Sequence, residues 1–325
     1  MTLEQKVTVV MYHYVRDLKN SKYPNIKGLD IKLFNEQILY LKKNYNVISM
    51  EEFFNAIFEN SKLPKRPALL TFDDGFIDHY SNVFPILEKN NLKGCFYPPI
   101  LSIIENKVLD VHKIHHILAT GINTKDLIEE IKKFIITEPN QDNVFFDSLY
   151  SKHAISNRYD NKEIIFIKRI LQSVLQLSQR ERLTDMLFKK FVEFSEEELS
   201  KILYMKEDEI NEMFKSGHHF GSHGFKHYWW NECNTDQLND EIQISKKFLI
   251  DLGMKKNGLT CCYPYGGISK KVIEMAKRAG FRIGFTTEVN IANLNKSDSL
   301  LIPRLDTNDL PKEMNAIDNK WLDYA

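Results

Sequence analysis

The stretch PALLTFDDGF (residues 67–76) runs an apolar, β-rich segment straight into two adjacent carboxylates, Asp73 and Asp74. Neighbouring strand residues point to opposite faces, so a mid-strand pair would bury one charge without a partner. At a strand's end, beside a glycine that frees the backbone, the two side chains can splay apart. One can then hold a cation while the other stays available for proton chemistry. An ordinary Asp-Gly turn is the competing reading, since both residues are common turn formers.

Outward from this stretch, strand and helix patterns alternate. VTVVMYH (7–13), NVISM (46–50), PALLTF (67–72) and KGCFYPP (93–99) read as strands. HHFGSH (218–223), LTCCYP (259–264), FRIGFTT (281–287) and SLLIP (299–303) repeat the pattern later in the chain. Segments with apolar residues at three- and four-residue steps separate them, such as 235–253 and 269–280, the second opening at Ser269 and closing before Gly280. This alternation predicts an α/β fold with a parallel sheet, open or closed. Residues 101–206 differ: they are helical in pattern, with DNVFFD (142–147) the one candidate strand, and read as an insertion between two parts of one α/β domain, 1–100 and 207–325.

GSHGFKHYWW (221–230) places His223 and His227 four residues apart. Gly221 and Gly224 disfavour a helix, so the pair is expected on a loop just after a strand. Two imidazoles and a carboxylate make an open zinc set with room for water or substrate, and Asp74, at another strand end, can supply the oxygen. His112, His115 and His116 sit at helical spacing and read foremost as a packing face, with a second ligand patch as the alternative.

TFDDGF, GSHGFKH and CCYPYGG, in that order, resemble the polysaccharide deacetylases, the carbohydrate esterase family with the NodB homology domain. The resemblance covers roughly residues 1–100 and 207–305. It implies a distorted (β/α) barrel of the NodB type, here with a helical insertion, and removal of acetyl groups from N-acetylated sugars with a divalent metal, zinc foremost. Carried over by position, Asp73 is the general base, and Asp74, His223 and His227 are the metal ligands. Pro264 and Tyr265 fall in the third motif, where the tyrosine-position backbone N–H helps hold an oxyanion. Tyr228, Trp229 and Trp230 follow His227, where aromatic faces can stack on a sugar ring while at least one of the three belongs to the core; Trp229, Pro264 and Tyr265 are the candidate substrate contacts.

The chain departs from the family pattern in three places. Gly224 stands where Ser or Thr usually follows the first histidine. Cys262 stands where an arginine often orients the base, and Arg304 in LIPRLD (301–306) is the candidate replacement. No histidine follows His227 to act as general acid. MYHYV (11–15) resembles a rearranged arrangement that makes His13 the candidate acid.

Lys plus Arg and Asp plus Glu number 44 each, which gives no basic field for nucleic acid. No apolar run approaches the roughly 18 residues a membrane helix needs. The first residues lack a signal-peptide layout, and the four cysteines form no CxxC pair, so a cytoplasmic setting is expected. The leading expectation is a carbohydrate deacetylase acting on a surface polysaccharide or its precursor. A non-catalytic glycan-binding homologue and an amide hydrolase of a non-sugar substrate are the alternatives.

Overall fold

The computed structural model describes residues 5–139, 141–157, 160–317 and 319–322. They divide into two compact units: 1–17, 27–107 and 200–325 in the first, 18–26 and 108–199 in the second.

Seven short parallel strands organise the first unit: β1 (Lys6–Tyr12), β2 (Pro67–Asp73), β3 (Cys95–Tyr97), β4 (His219–Phe220), β5 (Thr260–Cys262), β6 (Ile283–Phe285) and β7 (Leu305–Asp306). β2 pairs with β1 on one side and with β3 on the other, and β3 pairs with β4. The ladder continues by a bridge from Ser222 to Cys261, through β5 and β6, and by a second bridge from Phe285 to Ile302. Leu305 of β7 returns to Val10 of β1, which closes the ring. β1 and β2, of seven residues each, stand side by side and the other five strands have only two or three, so the barrel is distorted as well as closed.

Strand alternation sorts the core into two sets. Val9, Leu69, Tyr97, Cys262, Ile283, Phe285 and Ile302 pack together, with Phe53 of the Met50–Phe58 helix against them. Val10, Leu70, Phe72, Phe96 and Phe220 pack with helix residues such as Phe34, Leu87, Leu238 and Val272. Asp73 shares the parity of Leu69 and Thr71, so its carboxylate faces inward at the carboxyl end of β2.

Capping residues fix the helices that cover the barrel. Ser269 accepts the Val272 N–H and Gly280, at φ 95°, ends the Lys270–Ala279 helix in the left-handed region, where glycine carries no Cβ penalty. In NVISM only Asn46–Val47 is strand, because Ser49 and Glu52 form a capping box that starts a helix at Met50. In SLLIP only Ile302 makes a bridge.

The second unit is helical, with helices at Asp110–Ala119, Thr124–Thr137, Asn143–His153, Lys162–Arg169 and Leu177–Phe191. DNVFFD is helix rather than strand: Asp142 accepts the Phe145 N–H at 2.8 Å and caps it. His112 and His116 are buried, His116 Nδ1 meets the His112 carbonyl at 2.8 Å, and its ring packs edge-on against Tyr23. Lys113 is buried against Asp185 at 2.7 Å and Glu196 at 3.0 Å. No helix of the described residues is long and apolar enough to cross a membrane.

Candidate metal centre and its catalytic surroundings

All strands of the ring run the same way, so the loops after β1, β2, β4 and β5 share one mouth. Such carboxyl ends are where parallel α/β folds gather functional residues. Asp73 closes β2 opposite Tyr97, and the Asp74 N–H still bonds the Tyr97 carbonyl at 3.1 Å. The chain then turns at Asp74, with φ 78°, and at Gly75, with φ 67°. A Cβ on Gly75 would lie 2.7 Å from Pro98 Cβ, so the turn that separates the two carboxylates needs that glycine. Asp73 therefore stays on the inward face while Asp74 swings toward the histidine loop.

Asp74, His223 and His227 converge and are buried. The two Nε2 atoms lie 3.1 Å apart, and Asp74 Oδ1 lies 3.4 Å from His227 Nε2 and 3.6 Å from His223 Nε2. A tetrahedral zinc ion with bonds of about 2.0–2.1 Å separates its ligands by roughly 3.3 Å, so the triangle matches such an ion. His223 Nδ1 lies 2.8 Å from the Cys262 carbonyl, a bond it makes as an N–H donor. That leaves the Nε2 lone pair for a cation, which is the usual way a backbone acceptor orients a ligating imidazole. The donor set fits a divalent metal. Among the described residues this is the one cluster with such spacing, and the insertion histidines do not form another.

Asp73 is set apart from that triangle by Arg304. The guanidinium forks onto it, with Nη1 at 2.9 Å from Oδ1 and Nη2 at 2.7 Å from Oδ2, and each residue is 1% exposed. Arg304 also donates to the Thr286 carbonyl at 3.0 Å and to Thr71 Oγ1 at 3.1 Å, and its Nη1 lies 3.3 Å from Cys262 Sγ. A guanidinium thus occupies the space beside Cys262, although that position carries no arginine. Burial alone would raise the Asp73 carboxyl, but the charges of Arg304, His223 and His13 outweigh it and hold the group at about 2.

His13 follows β1, is partly exposed, and lies near enough for its charge to act on Asp73. Its backbone is anchored from below: His79 Nε2 meets the His13 carbonyl at 3.0 Å, and Asp78 accepts the Val15 N–H at 3.0 Å while holding Arg16 through two bonds of 2.8 Å. Asp78 and His79 thus clamp the exit of β1.

On the other side of the triangle, Tyr265 sits in the Pro264–Gly266 turn with φ 56°, and Pro264 beneath it is buried. Its ring packs edge-on to His227 and stacks on Trp229 with centroids 4.6 Å apart and planes 5° from parallel. Trp230 is fully buried core, whereas Trp229 is half-buried. Asp74, His227 and Tyr265, three of the non-glycine residues with positive φ, thus meet at one place, which is where stored backbone strain usually collects.

A family model described as polysaccharide deacetylase matches residues 173–284, which hold His223, His227, Pro264 and Tyr265. Asp73, Asp74, His13 and Arg304 lie outside that stretch. The Bacillus subtilis (strain 168) protein YxkH, provisionally named a polysaccharide deacetylase, is 23% identical over 145 residues, 44% of this chain and 50% of that protein. The match thus spans about half the length of this curated relative. Among solved structures, the Streptococcus pyogenes deacetylase PplD in complex with acetate has a TM-score of 0.54 at 18% identity, covering 96% of this chain and 97% of that one. A de-N-acetylase from Aggregatibacter actinomycetemcomitans has a TM-score of 0.52 at 16% identity, with 97% of each chain covered. At such identities the structural likeness speaks for the fold, and the fold is that of the NodB-type deacetylases.

Proposed function

From this kinship to the polysaccharide deacetylases, we propose that the protein is a metal-dependent carbohydrate deacetylase that removes acetyl from an N-acetylated sugar. One observation carries the reading: a three-ligand cluster of metal-binding spacing lies beside a carboxylate that an arginine holds ionised and apart. When bound, a divalent ion, zinc foremost, supplies polarisation of the amide carbonyl and acidification of water at neutral pH. Asp74, His223 and His227 hold it.

The chain's own residues divide the remaining work. Asp73 is ionised at neutral pH, because the Arg304 fork favours the charged form, and it takes the proton of the attacking water. The Tyr265 peptide N–H, set by its left-handed turn, is the donor to the developing oxyanion. As the C–N bond breaks, His13 gives a proton to the departing amine. Acetate and a free amino sugar result. The half-buried Trp229 and Tyr265 rings give the sugar an apolar wall.

The test is acetate release from a panel of free, nucleotide-linked and lipid-linked N-acetyl sugars. Asp73→Asn is expected to keep its metal and to lose roughly 10²–10⁴-fold in turnover, the usual worth of a positioned base. Metal-free protein releasing acetate at the wild-type rate would contradict the proposal. A glycan-binding homologue is favoured by the absent motif arginine and the absent late histidine, and the Arg304–Asp73 fork answers the first of these. A cytoplasmic site of action on a polysaccharide precursor is part of the same proposal. Free thiols at Cys95, Cys233, Cys261 and Cys262 support it, and cell fractionation tests it.

A further inference from the structure

The loop that carries both histidines is gripped by a carboxylate far from it in sequence. Glu241, in the Thr235–Leu252 helix, is 2% exposed. Its Oε1 accepts the Lys226 N–H at 2.7 Å, and its Oε2 accepts the Phe225 N–H at 3.1 Å and the Trp230 Nε1–H at 3.3 Å. These donors flank His227 on both sides. Gly224 completes the seat: at φ 79°, a Cβ there would lie 2.3 Å from Glu241 Oε2, so the carboxylate fills the space a side chain would take. The same helix also holds the loop before His223, where Ser222 Oγ donates to Ser245 Oγ at 2.7 Å and accepts the Gly224 N–H at 3.1 Å.

His227 itself has φ 59°, a conformation that persists only where the surroundings over-determine it. The Phe225 and Lys226 amides before it and the Trp230 indole after it all bond Glu241. We propose that Glu241 is a positioning residue that sets the metal affinity of the site, holding residues 224–230 so that His227 Nε2 stays within reach of His223 and Asp74. This rests on the metal-site reading above and adds a residue that touches neither metal nor substrate. A carboxylate suits the task because it only accepts, and each of its partners donates.

The experiment measures Zn2+ affinity of the stripped, full-length protein by competition with a chromophoric chelator. Glu241→Gln keeps the size of the side chain but replaces one acceptor with an NH2 group facing backbone donors. It is expected to weaken Zn2+ binding by about 10–100-fold, the usual effect of losing a group that supports the ligands. Ile242→Ala, a core truncation on the same helix, is expected to lower Tm while leaving Zn2+ affinity unchanged. Gly224→Ala, which drives the carboxylate from its seat, is read in place of Glu241→Gln if that variant does not fold, with the same expected direction. Glu241→Gln binding Zn2+ as tightly as wild type, or Ile242→Ala losing affinity as much as Glu241→Gln, would overturn the role. A wild-type chain that takes up no Zn2+ would overturn the metal-site reading and this role with it, a result distinguishable from the other two.

Discussion

Asp73 and Arg304 show how a local mismatch in sequence is made good in space. With the guanidinium removed, the largest of the charges that lower the carboxyl is lost, and burial, which raises it, is opposed only by His223 and His13. Arg304→Met is therefore expected to move the acidic limb of the kcat/KM profile to higher pH, by about one unit or more, while Arg304→Lys moves it less. A pH–rate profile checks this, and a limb that stays in place would detach Arg304 from the base. At this scale the sequence was partly legible. Two carboxylates beside a glycine and an HxxxH on a glycine-rich loop are side-chain signals, and the structure brings them together. The Cys262 carbonyl that orients His223 left no signal, because every residue has a carbonyl. Glu241 left a faint one: Leu238, Ile242, Ser245 and Leu249 form the buried stripe of its helix, and a carboxylate within that stripe asks for donors.

Among the elements, the exit of β1 is the most instructive. Its first strand delivers His13, but the π-helical turn His79–Val83 and the residue before it hold the backbone there. Asp78→Ala is expected to free Arg16 and the Val15 N–H, lowering turnover several-fold or more while leaving metal content intact. Parallel assays of acetate release and bound zinc check this, and loss of metal instead would place Asp78 in support of the ligand cluster. Element types were mostly readable from periodicity and caps, as Ser269 and Gly280 illustrate. The misread ones were short. DNVFFD holds one short run of β-forming residues, Val144 to Phe146, too short to outweigh an Asp142 N-cap, and NVISM hides a capping-box serine inside an apparent strand.

Over the whole molecule, the Asp73–Arg304 fork joins β2 to the segment between the Ile302 bridge and β7, residues 231 apart in sequence. It is a closing contact of the ring as well as part of the site. Because folding lowers the Asp73 carboxyl from 3.8 to about 2, the unfolded chain binds its proton more readily at acid pH. The linked stability, on the order of 2 kcal/mol, is fully present above about pH 4 and is lost as pH falls from there through 2. Urea titrations of metal-free protein across that range should show the loss in wild type and not in Arg304→Met, which starts less stable because its buried carboxylate has no cation. An equal acid loss in both would mean the fork does not carry it. Ring closure itself lay beyond sequence reading, since it depends on single bridges at Ser222 and Ile302 that no strand pattern announces.

Zinc content after stripping and reloading tests the central claim most directly, comparing wild type, Asp73→Asn and His227→Ala. One equivalent in wild type and in Asp73→Asn, with little or none in His227→Ala, is the predicted result. Loss of the ion in Asp73→Asn, or its retention in His227→Ala, would contradict the division of labour between the two neighbouring aspartates.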